Sequence, residues 1–187
     1  MFHQSLVYHR PFYALRPSIA AAQEIDRRSA IEARGARRIL IDHLHLTLAM
    51  TDDHSAFPRD IIDRMMMIGA AVAAEPVEIL LEVMAGSNRS VALRPRRASS
   101  VLKGLQRRIT DAMRAQGVPE RDGGYRFSPH VTLFYRDGRP FNERIDPIGW
   151  VAGELVLIHS LVGRTRHEVL GRWPLGRDGG DGQLSLF

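Results

Sequence analysis

The feature that most constrains the fold of this chain is a short motif that occurs twice. Residues 45–48 read His-Leu-Thr-Leu, and residues 130–133 read His-Val-Thr-Leu. Side chains of a β-strand alternate between its two faces, so the histidine and threonine of each motif share one face. The pattern therefore predicts two strands, each with one apolar face for the core and one polar face that carries an imidazole and a hydroxyl.

The surroundings of the two motifs repeat as well. Residues 14–17 and 92–95 both read Ala-Leu-Arg-Pro, and each is followed by a segment of helical periodicity that a glycine closes, Gly35 in one case and Gly117 in the other. A strand, Leu-Arg-Pro, a helix, a glycine and a motif strand thus follow in the same order twice. We interpret this order as a diverged internal duplication, with a first copy at about residues 12–50 and a second at about 90–135.

Short strands interleaved with helices predict an α+β fold. We expect one domain over residues 1–175, built from two lobes whose mainly antiparallel, pseudo-symmetric sheets face a central groove with helices on the outside. Serine caps and apolar periodicity predict helices from Ser18 to about Arg34, from about Pro58, and from about Ser99 to Gln116. The first motif is predicted on a strand from Arg38 to Met50. Two more strands are predicted near the end of the domain, at Glu154 to Leu161 and about Glu168 to Trp173.

Composition narrows the class of protein. The net charge is +5, and the basic residues are almost entirely arginine, which favours an anionic partner such as RNA. There are no cysteines, so disulfides, thiolate metal sites and cysteine nucleophiles are excluded. No apolar run reaches the roughly 18 residues that a membrane span needs, and the N-terminus lacks the layout of a signal peptide. We therefore expect a cytoplasmic protein that does not contact a membrane.

With these paired motifs the chain resembles the 2H phosphoesterase superfamily, and within it the bacterial RNA 2′,3′-cyclic phosphodiesterases, also called 2′-5′ RNA ligases. The resemblance extends from residue 12 to residue 173 and includes Pro129, which precedes the second histidine. It implies hydrolysis of RNA 2′,3′-cyclic phosphate ends to 2′-phosphates without a metal or other cofactor, and reversible 2′-5′ ligation. It also implies that His45 is the proton donor and His130 the proton acceptor.

The residue types of the motifs suit this chemistry. An imidazole with a pKa near 6.5 can either give or take a proton at neutral pH, so two of them can serve as acid and base. The hydroxyls of Thr47 and Thr132 can donate hydrogen bonds to the non-bridging oxygens of a phosphate. The residues themselves do not decide which histidine is the acid.

Other substrate contacts are predicted less directly. Phe12 could stack on a base, and Arg126 shares the strand face of His130 by alternation and could bind a phosphate. Family members commonly carry an arginine five residues after the second histidine, but here that residue is Tyr135, followed by Arg136. Strand alternation predicts that Arg136 faces the same side as His130 and that Tyr135 does not.

Three alternatives stay open at this point. His43, His45 and His130 could form a three-histidine metal site, although such a site has no need for a threonine at the same offset twice. A 2H phosphodiesterase could act on a small cyclic nucleotide or on ADP-ribose cyclic phosphate instead of RNA. An RNA-binding module could keep the cleft without turnover.

Residues 176–187 form a separate tail. Its first part is rich in glycine and aspartate, which is typical of a flexible tether. The tail ends in Gln183, Leu184, Ser185, Leu186 and Phe187, a pentapeptide that resembles the motif by which bacterial proteins bind the DNA polymerase sliding clamp. We expect these apolar residues to bind either the clamp or a groove on the protein itself.

Overall fold

The computed structural model describes residues 7–121, 127–164 and 166–176, and these residues adopt the predicted α+β class. The helices are α1 (Ile19–Glu32), α2 (Arg59–Ala71) and α3 (Ser100–Ala115), with one turn of 3₁₀ helix at Ile41–His43. The strands are β1 (Tyr8–Leu15), β2 (Leu46–Met50), β3 (Val77–Gly86), β4 (Ser90–Arg94), β5 (Val131–Tyr135), β6 (Phe141–Ala152), β7 (Glu154–Val162) and β8 (Arg166–Pro174).

Local signals in the sequence explain where the helices begin and end. The side chain of Ser18 accepts a hydrogen bond from the backbone N–H of Ala21, and that of Ser99 accepts one from Leu102. These bonds satisfy backbone donors that the first turn of a helix leaves free. Gly117 follows α3 with a φ of 63°, a left-handed conformation that glycine adopts without strain. The three predicted helices are confirmed to within a few residues.

All eight strands lie in one sheet, in the order β6-β3-β4-β5-β2-β1-β7-β8, and every neighbouring pair is antiparallel. The prediction of two separate sheets is therefore wrong. The two motif strands meet in the middle, where β2 and β5 pair through Leu46 and Val131. Four strands lie on each side of this joint. The internal duplication stays a prediction, and the strand-helix-strand order β1-α1-β2 and β4-α3-β5 agrees with it.

The helices pack on one face of the sheet and leave the polar face of the motif strands uncovered. Leu46, Leu48, Val131 and Leu133 are all fully buried in the core that the helices share with the sheet. On the opposite face lies a small apolar cluster of Phe12, Ala14, Val156 and Ile158. Thus the predicted alternation of the motif residues is confirmed, since their apolar members point toward the helices.

Two elements differ from the sequence-based expectation. The first motif strand begins at Leu46 and not at Arg38, because the 3₁₀ turn Ile41–His43 precedes it. Strand β6 has no counterpart in the prediction. It contains Pro147 and several exposed charges, which weaken the strand pattern, but it lies at the sheet edge, where a missing N–H is tolerated. Among the described residues no helix is long and apolar enough to cross a lipid bilayer.

Candidate active site

A cavity of about 490 Å³ opens on the uncovered face of the sheet and contains all four motif residues. This volume lies in the range of small-molecule and cofactor sites. The remaining lining residues come mainly from β1, the segment before the 3₁₀ turn, and the β7–β8 hairpin. The lining consists of Arg10, Phe12, Arg37, Arg38, Ile39, His43, His45, Thr47, Met50, His130, Thr132, Tyr135, Ser160, Leu161, Val162, Gly163 and His167.

The register at the centre of the sheet explains why the two motifs meet. Leu46 pairs with Val131, and each histidine directly precedes its strand. Continuing this antiparallel register by one residue in each direction places His45 across from Thr132, and Thr47 across from His130. Each imidazole therefore has a hydroxyl of the other motif as its neighbour across the joint.

Both histidines make the same hydrogen bond. Nδ1 of His45 lies 2.6 Å from the carbonyl oxygen of His43, and Nδ1 of His130 lies 2.8 Å from that of Ser128. A carbonyl oxygen only accepts, so Nδ1 is the nitrogen that carries the proton in each neutral ring. Nε2 is then the nitrogen left to take a proton from a ligand or, once protonated, to give one.

The surroundings of the two rings favour their neutral form. Burial lowers the pKa of His45 to about 4, and the positive charges of His130 and Arg16 act in the same direction. The bond to the His43 carbonyl offsets part of this shift. Burial also lowers the pKa of His130, and the charge of Arg94 lowers it further. An anionic phosphate in the cavity would raise the pKa of both rings, because a nearby negative charge stabilises an imidazolium.

A β-bulge changes which residue after the second motif reaches the cavity. Ala92 pairs with Thr132 and Val91 with Phe134, so Leu133 is an extra residue in β5. Beyond this bulge the alternation is reversed, and Tyr135 lines the cavity. Arg136 is absent from the lining, and its guanidinium lies 5.5 Å from the ring centre of Phe141. The prediction that Arg136, and not Tyr135, faces the same side as His130 is therefore wrong.

The other predicted substrate contacts have different outcomes. Phe12 lines the cavity, and its ring centre lies 4.9 Å from that of His45, although the side chain is mostly buried in the sheet. Arg126 lies outside the described residues. Among the lining arginines, Arg10 forms a two-pronged ion pair with Asp53, with N–O distances of 2.6 and 2.8 Å.

Sequence reasoning missed His167, which lines the cavity from β8. Its ring stacks on that of His43 at 4.5 Å and meets that of His45 at 5.4 Å. Burial lowers the pKa of His167 to about 4, and the charges of His45 and His43 contribute. No local motif marks this residue. Only the pairing of β8 with β7, and of β7 with β1, brings it beside the first motif.

The three-histidine metal site has no support in the geometry. His43 ends the 3₁₀ turn and His45 directly precedes β2, so the two histidines do not share a strand and the alternation argument for the site does not apply. Within residues 7–121, 127–164 and 166–176, no three histidine, aspartate or glutamate side chains are arranged to hold a metal ion.

Comparison with known proteins gives matches at the level of structure. No family model and no curated protein matches the chain. Escherichia coli LigT in complex with 3′-AMP superposes with a TM-score of 0.73, which covers 91% of this chain and 99% of LigT at 23% identity. The chain has the LigT fold. The resemblance inferred from the paired motifs is thus confirmed for the fold.

Two further solved structures share the LigT fold with this chain. The protein TT0787 of Thermus thermophilus has a TM-score of 0.74 at 17% identity, covering 88% of this chain and 97% of TT0787. A structure described as a phosphoesterase has a TM-score of 0.71 at 22% identity, covering 91% of this chain and 99% of that one. The LigT fold therefore spans nearly the whole described part of the chain.

Proposed function

We propose that this protein is a metal-independent phosphodiesterase that hydrolyses RNA 2′,3′-cyclic phosphate ends to 2′-phosphates. The observation that carries the proposal is the arrangement of two half-buried imidazoles and two threonines around one cavity, each imidazole held through Nδ1 by a backbone carbonyl. Such an arrangement holds two Nε2 atoms and two hydroxyls in fixed positions, which suits a reaction that needs an acid, a base and donors to phosphate oxygens.

The proposed reaction transfers one proton at each histidine. Nε2 of His130 takes a proton from water while the water oxygen forms a bond to phosphorus. The bond between phosphorus and the 3′ oxygen breaks, and Nε2–H of His45 donates its proton to that oxygen. The product is a 2′-phosphomonoester with a free 3′ hydroxyl. The assignment of His45 as donor and His130 as acceptor comes from the resemblance to 2H phosphoesterases.

In the proposed mechanism, His45 gains its proton when an anionic substrate binds beside it. An acid with a pKa of about 4 would be mostly unprotonated at neutral pH, but a bound phosphate beside His45 would raise that pKa. Thr47 and Thr132, which lie across from the opposite histidines, would donate hydrogen bonds to the non-bridging oxygens. These bonds would strengthen as negative charge builds up on those oxygens in the transition state.

RNA ends are the favoured substrate because of charge. Three arginines line the cavity, and the chain as a whole carries a net charge of +5. An RNA strand offers further phosphates to such a surface, whereas a small nucleotide offers few. LigT itself has been crystallised with 3′-AMP, ATP, NADP⁺ and phosphate, so it accepts phosphate-bearing ligands. With the 5′ hydroxyl of a second RNA in place of water, the same steps would open the cyclic phosphate to a 2′-5′ linkage, again with the 3′ oxygen as the leaving group.

Two other functions would be separated by the same experiment. One is hydrolysis of a small cyclic nucleotide or ADP-ribose cyclic phosphate, and the other is RNA binding without turnover. The assay uses a short RNA with a labelled 2′,3′-cyclic phosphate terminus, with 2′,3′-cyclic AMP and ADP-ribose cyclic phosphate as parallel substrates. We expect conversion of the RNA to the 2′-phosphate at the highest kcat/KM, unchanged after exhaustive EDTA treatment.

Each alternative outcome has a clear meaning. A higher kcat/KM on either small substrate would replace RNA as the substrate class. RNA binding without conversion of any of the three compounds would indicate that the protein is an RNA-binding module and not an enzyme. Activity that EDTA abolishes and zinc restores would contradict the metal-independent mechanism.

The C-terminal tail adds a proposal about location and partner. The pentapeptide formed by residues 183–187 lies outside the described residues, and its resemblance to clamp-binding peptides supports binding to the DNA polymerase sliding clamp. Together with the absence of cysteine, this partner would place the protein in the cytoplasm. In this proposal the tail tethers the enzyme and takes no part in the reaction.

A further inference from the structure

The repeated Ala-Leu-Arg-Pro segments place one arginine beside each histidine of the site. Leu15 pairs with Leu46, and Leu93 pairs with Val131. One residue further along each antiparallel pair, Arg16 lies across from His45, and Arg94 lies across from His130. The tetrapeptide therefore has the same structural role twice: Arg16 directly follows β1 and Arg94 is the last residue of β4, and each of these strands is the neighbour of a motif strand.

Arg94 lies on the same face of the sheet as His130. Leu93 is fully buried toward the helices, and Ala92 pairs with Thr132 on the cavity face, so alternation returns Arg94 to the cavity face. Arg94 itself does not line the cavity. Its charge acts on the ring of His130 and contributes to the lowered pKa of His130.

The two arginines differ in what holds their guanidinium groups. Arg16 donates a hydrogen bond from Nη2 to the carbonyl oxygen of Asp42. Arg94 forms no ion pair with any carboxylate in the described ranges, and its Nε is buried there without a hydrogen-bond partner. The carboxylate of Glu82 accepts instead from the backbone N–H of Arg96. Within the described ranges, the positive charge of Arg94 is thus not neutralised by a carboxylate and acts on its neighbour.

We propose that Arg94 is a positioning residue for His130: from the neighbouring strand its charge acts together with the burial of the ring to favour the neutral imidazole that accepts a proton. This inference rests on the proposed function, because it gives a cause for the role of His130 as the base.

Other charged and titratable groups also line the cavity of His130. Among them are His45, from the segment before β2, Tyr135 on β5, and Arg37 and Arg38, which precede the 3₁₀ turn. Arg38 is paired with Asp26 at 3.0 Å, which reduces its effect. Burial is the main cause of the lowered pKa of His130, and Arg94 is the charged group that lowers it further. The strand register places Arg94 across from His130.

The test compares charge-removing variants of Arg94 with a charge-matched control. Arg94→Gln and Arg94→Met remove the charge, Arg94→Lys keeps it, and Arg144→Gln removes a charge from the exposed edge strand β6. The His130 side chain is titrated by NMR in the protein without substrate, and the pH profile of kcat/KM is measured on the cyclic phosphate RNA. A second charge-removing variant keeps the test valid where one of them fails to fold.

We expect Arg94→Gln and Arg94→Met to raise the pKa of His130, because each removes a positive charge beside the ring. The acidic limb of the kcat/KM profile should move to higher pH by the same amount, because the base must be unprotonated. Arg94→Lys and Arg144→Gln should leave both values near those of the unmodified protein. A titration of His130 in Arg94→Gln that equals that of Arg144→Gln would overturn the inference.

The failure of this inference is separable from that of the proposed function. A protein without hydrolytic activity, in which Arg94→Gln still shifts the His130 titration, would refute the function and retain the link between the two residues. An active enzyme that loses activity in His130→Ala, but in which Arg94→Gln leaves the His130 titration unchanged, would retain the function and refute the link.

Discussion

Leu48 and Leu133 occupy the same place in their strands, since each is the extra residue of a β-bulge three positions after its histidine. Ala14 of β1 pairs with Thr47 of β2, and Tyr13 pairs with Ala49, so Leu48 has no pairing residue on β1. Ala92 of β4 pairs with Thr132 of β5, and Val91 pairs with Phe134, so Leu133 has no pairing residue on β4. Both bulges reverse the alternation that follows, so Met50 and Tyr135 return to the cavity.

The two histidines should be equally necessary for hydrolysis. Replacing His45 or His130 with Ala should lower kcat on the cyclic phosphate RNA by roughly a hundredfold or more, the scale for loss of one acid–base group. The double variant should be little slower than either single one, because the two residues act as a unit. His54→Ala, outside the cavity lining, serves as the control. Near-normal turnover in either single variant would contradict the proposed roles.

The threonine hydroxyls should matter for rate and not for folding. Thr47→Ala and Thr132→Ala should each lower kcat on the order of a hundredfold, the scale for loss of one donor to a developing oxyanion. Thr47→Ser and Thr132→Ser retain the hydroxyl and should retain most of the rate. Melting temperatures should change little in all four variants. Full rates in both alanine variants would show that these hydroxyls are structural.

The bulge in β5 predicts different effects at two adjacent residues. Tyr135→Ala should lower kcat/KM roughly tenfold, the scale for loss of one aromatic ring that stacks on a base. Arg136→Ala should leave kcat/KM nearly unchanged, because this side chain lies against Phe141 and away from the cavity. Steady-state kinetics of the two variants on the same RNA provide the comparison. The reverse pattern would mean that Arg136 reaches the phosphate.

The low pKa values of His45 and His167 should make the fold sensitive to acid. The pKa values of His45 and His167 are about 4 in the folded protein, below the ordinary value of 6.5. The unfolded chain therefore binds more protons between these limits, and stability rises with pH across that window. This contribution is fully present above about pH 6.5 and is lost as the pH falls toward 4. Melting temperatures measured from about pH 7 to about pH 4.5 should fall by several degrees.

The variants His45→Asn and His167→Asn isolate this effect. Each removes one group that must be buried without its charge, so each should show a smaller loss of melting temperature over the same pH range than the unmodified protein. His54→Asn is the control for loss of a histidine outside the cavity lining. Equal pH dependence in all four proteins would contradict the assigned shifts.

The tail should affect binding and not catalysis. Deleting residues 183–187 should leave hydrolysis of the cyclic phosphate RNA unchanged and abolish binding to purified sliding clamp. A synthetic peptide of the tail should bind the clamp, and a peptide with the same residues in scrambled order should not. A tail peptide without affinity at high micromolar concentration would refute the clamp as partner, and slower hydrolysis after deletion would indicate that the tail contacts the enzyme itself.

The sequence alone determined what depends on local chemistry and on alternation. The His-x-Thr pattern on two strands predicted which side chains face the core and which face the cavity, since period-two alternation is a property of the strand itself. Ser18 and Ser99 marked the first turns of two helices, because their hydroxyls can satisfy free N–H groups whatever the rest of the fold. The excess of arginine pointed to an anionic substrate, because net charge is a property of composition and not of the fold.

Only the tertiary structure decided what depends on the partner of each strand. The bulges at Leu48 and Leu133 exist because of the register with β1 and β4, so alternation alone gave the wrong face for Arg136. His167 and Arg94 join the site through pairing between segments that lie far apart in the chain. Such pairings are set by the burial of whole strand faces, a collective property that no short segment of sequence contains.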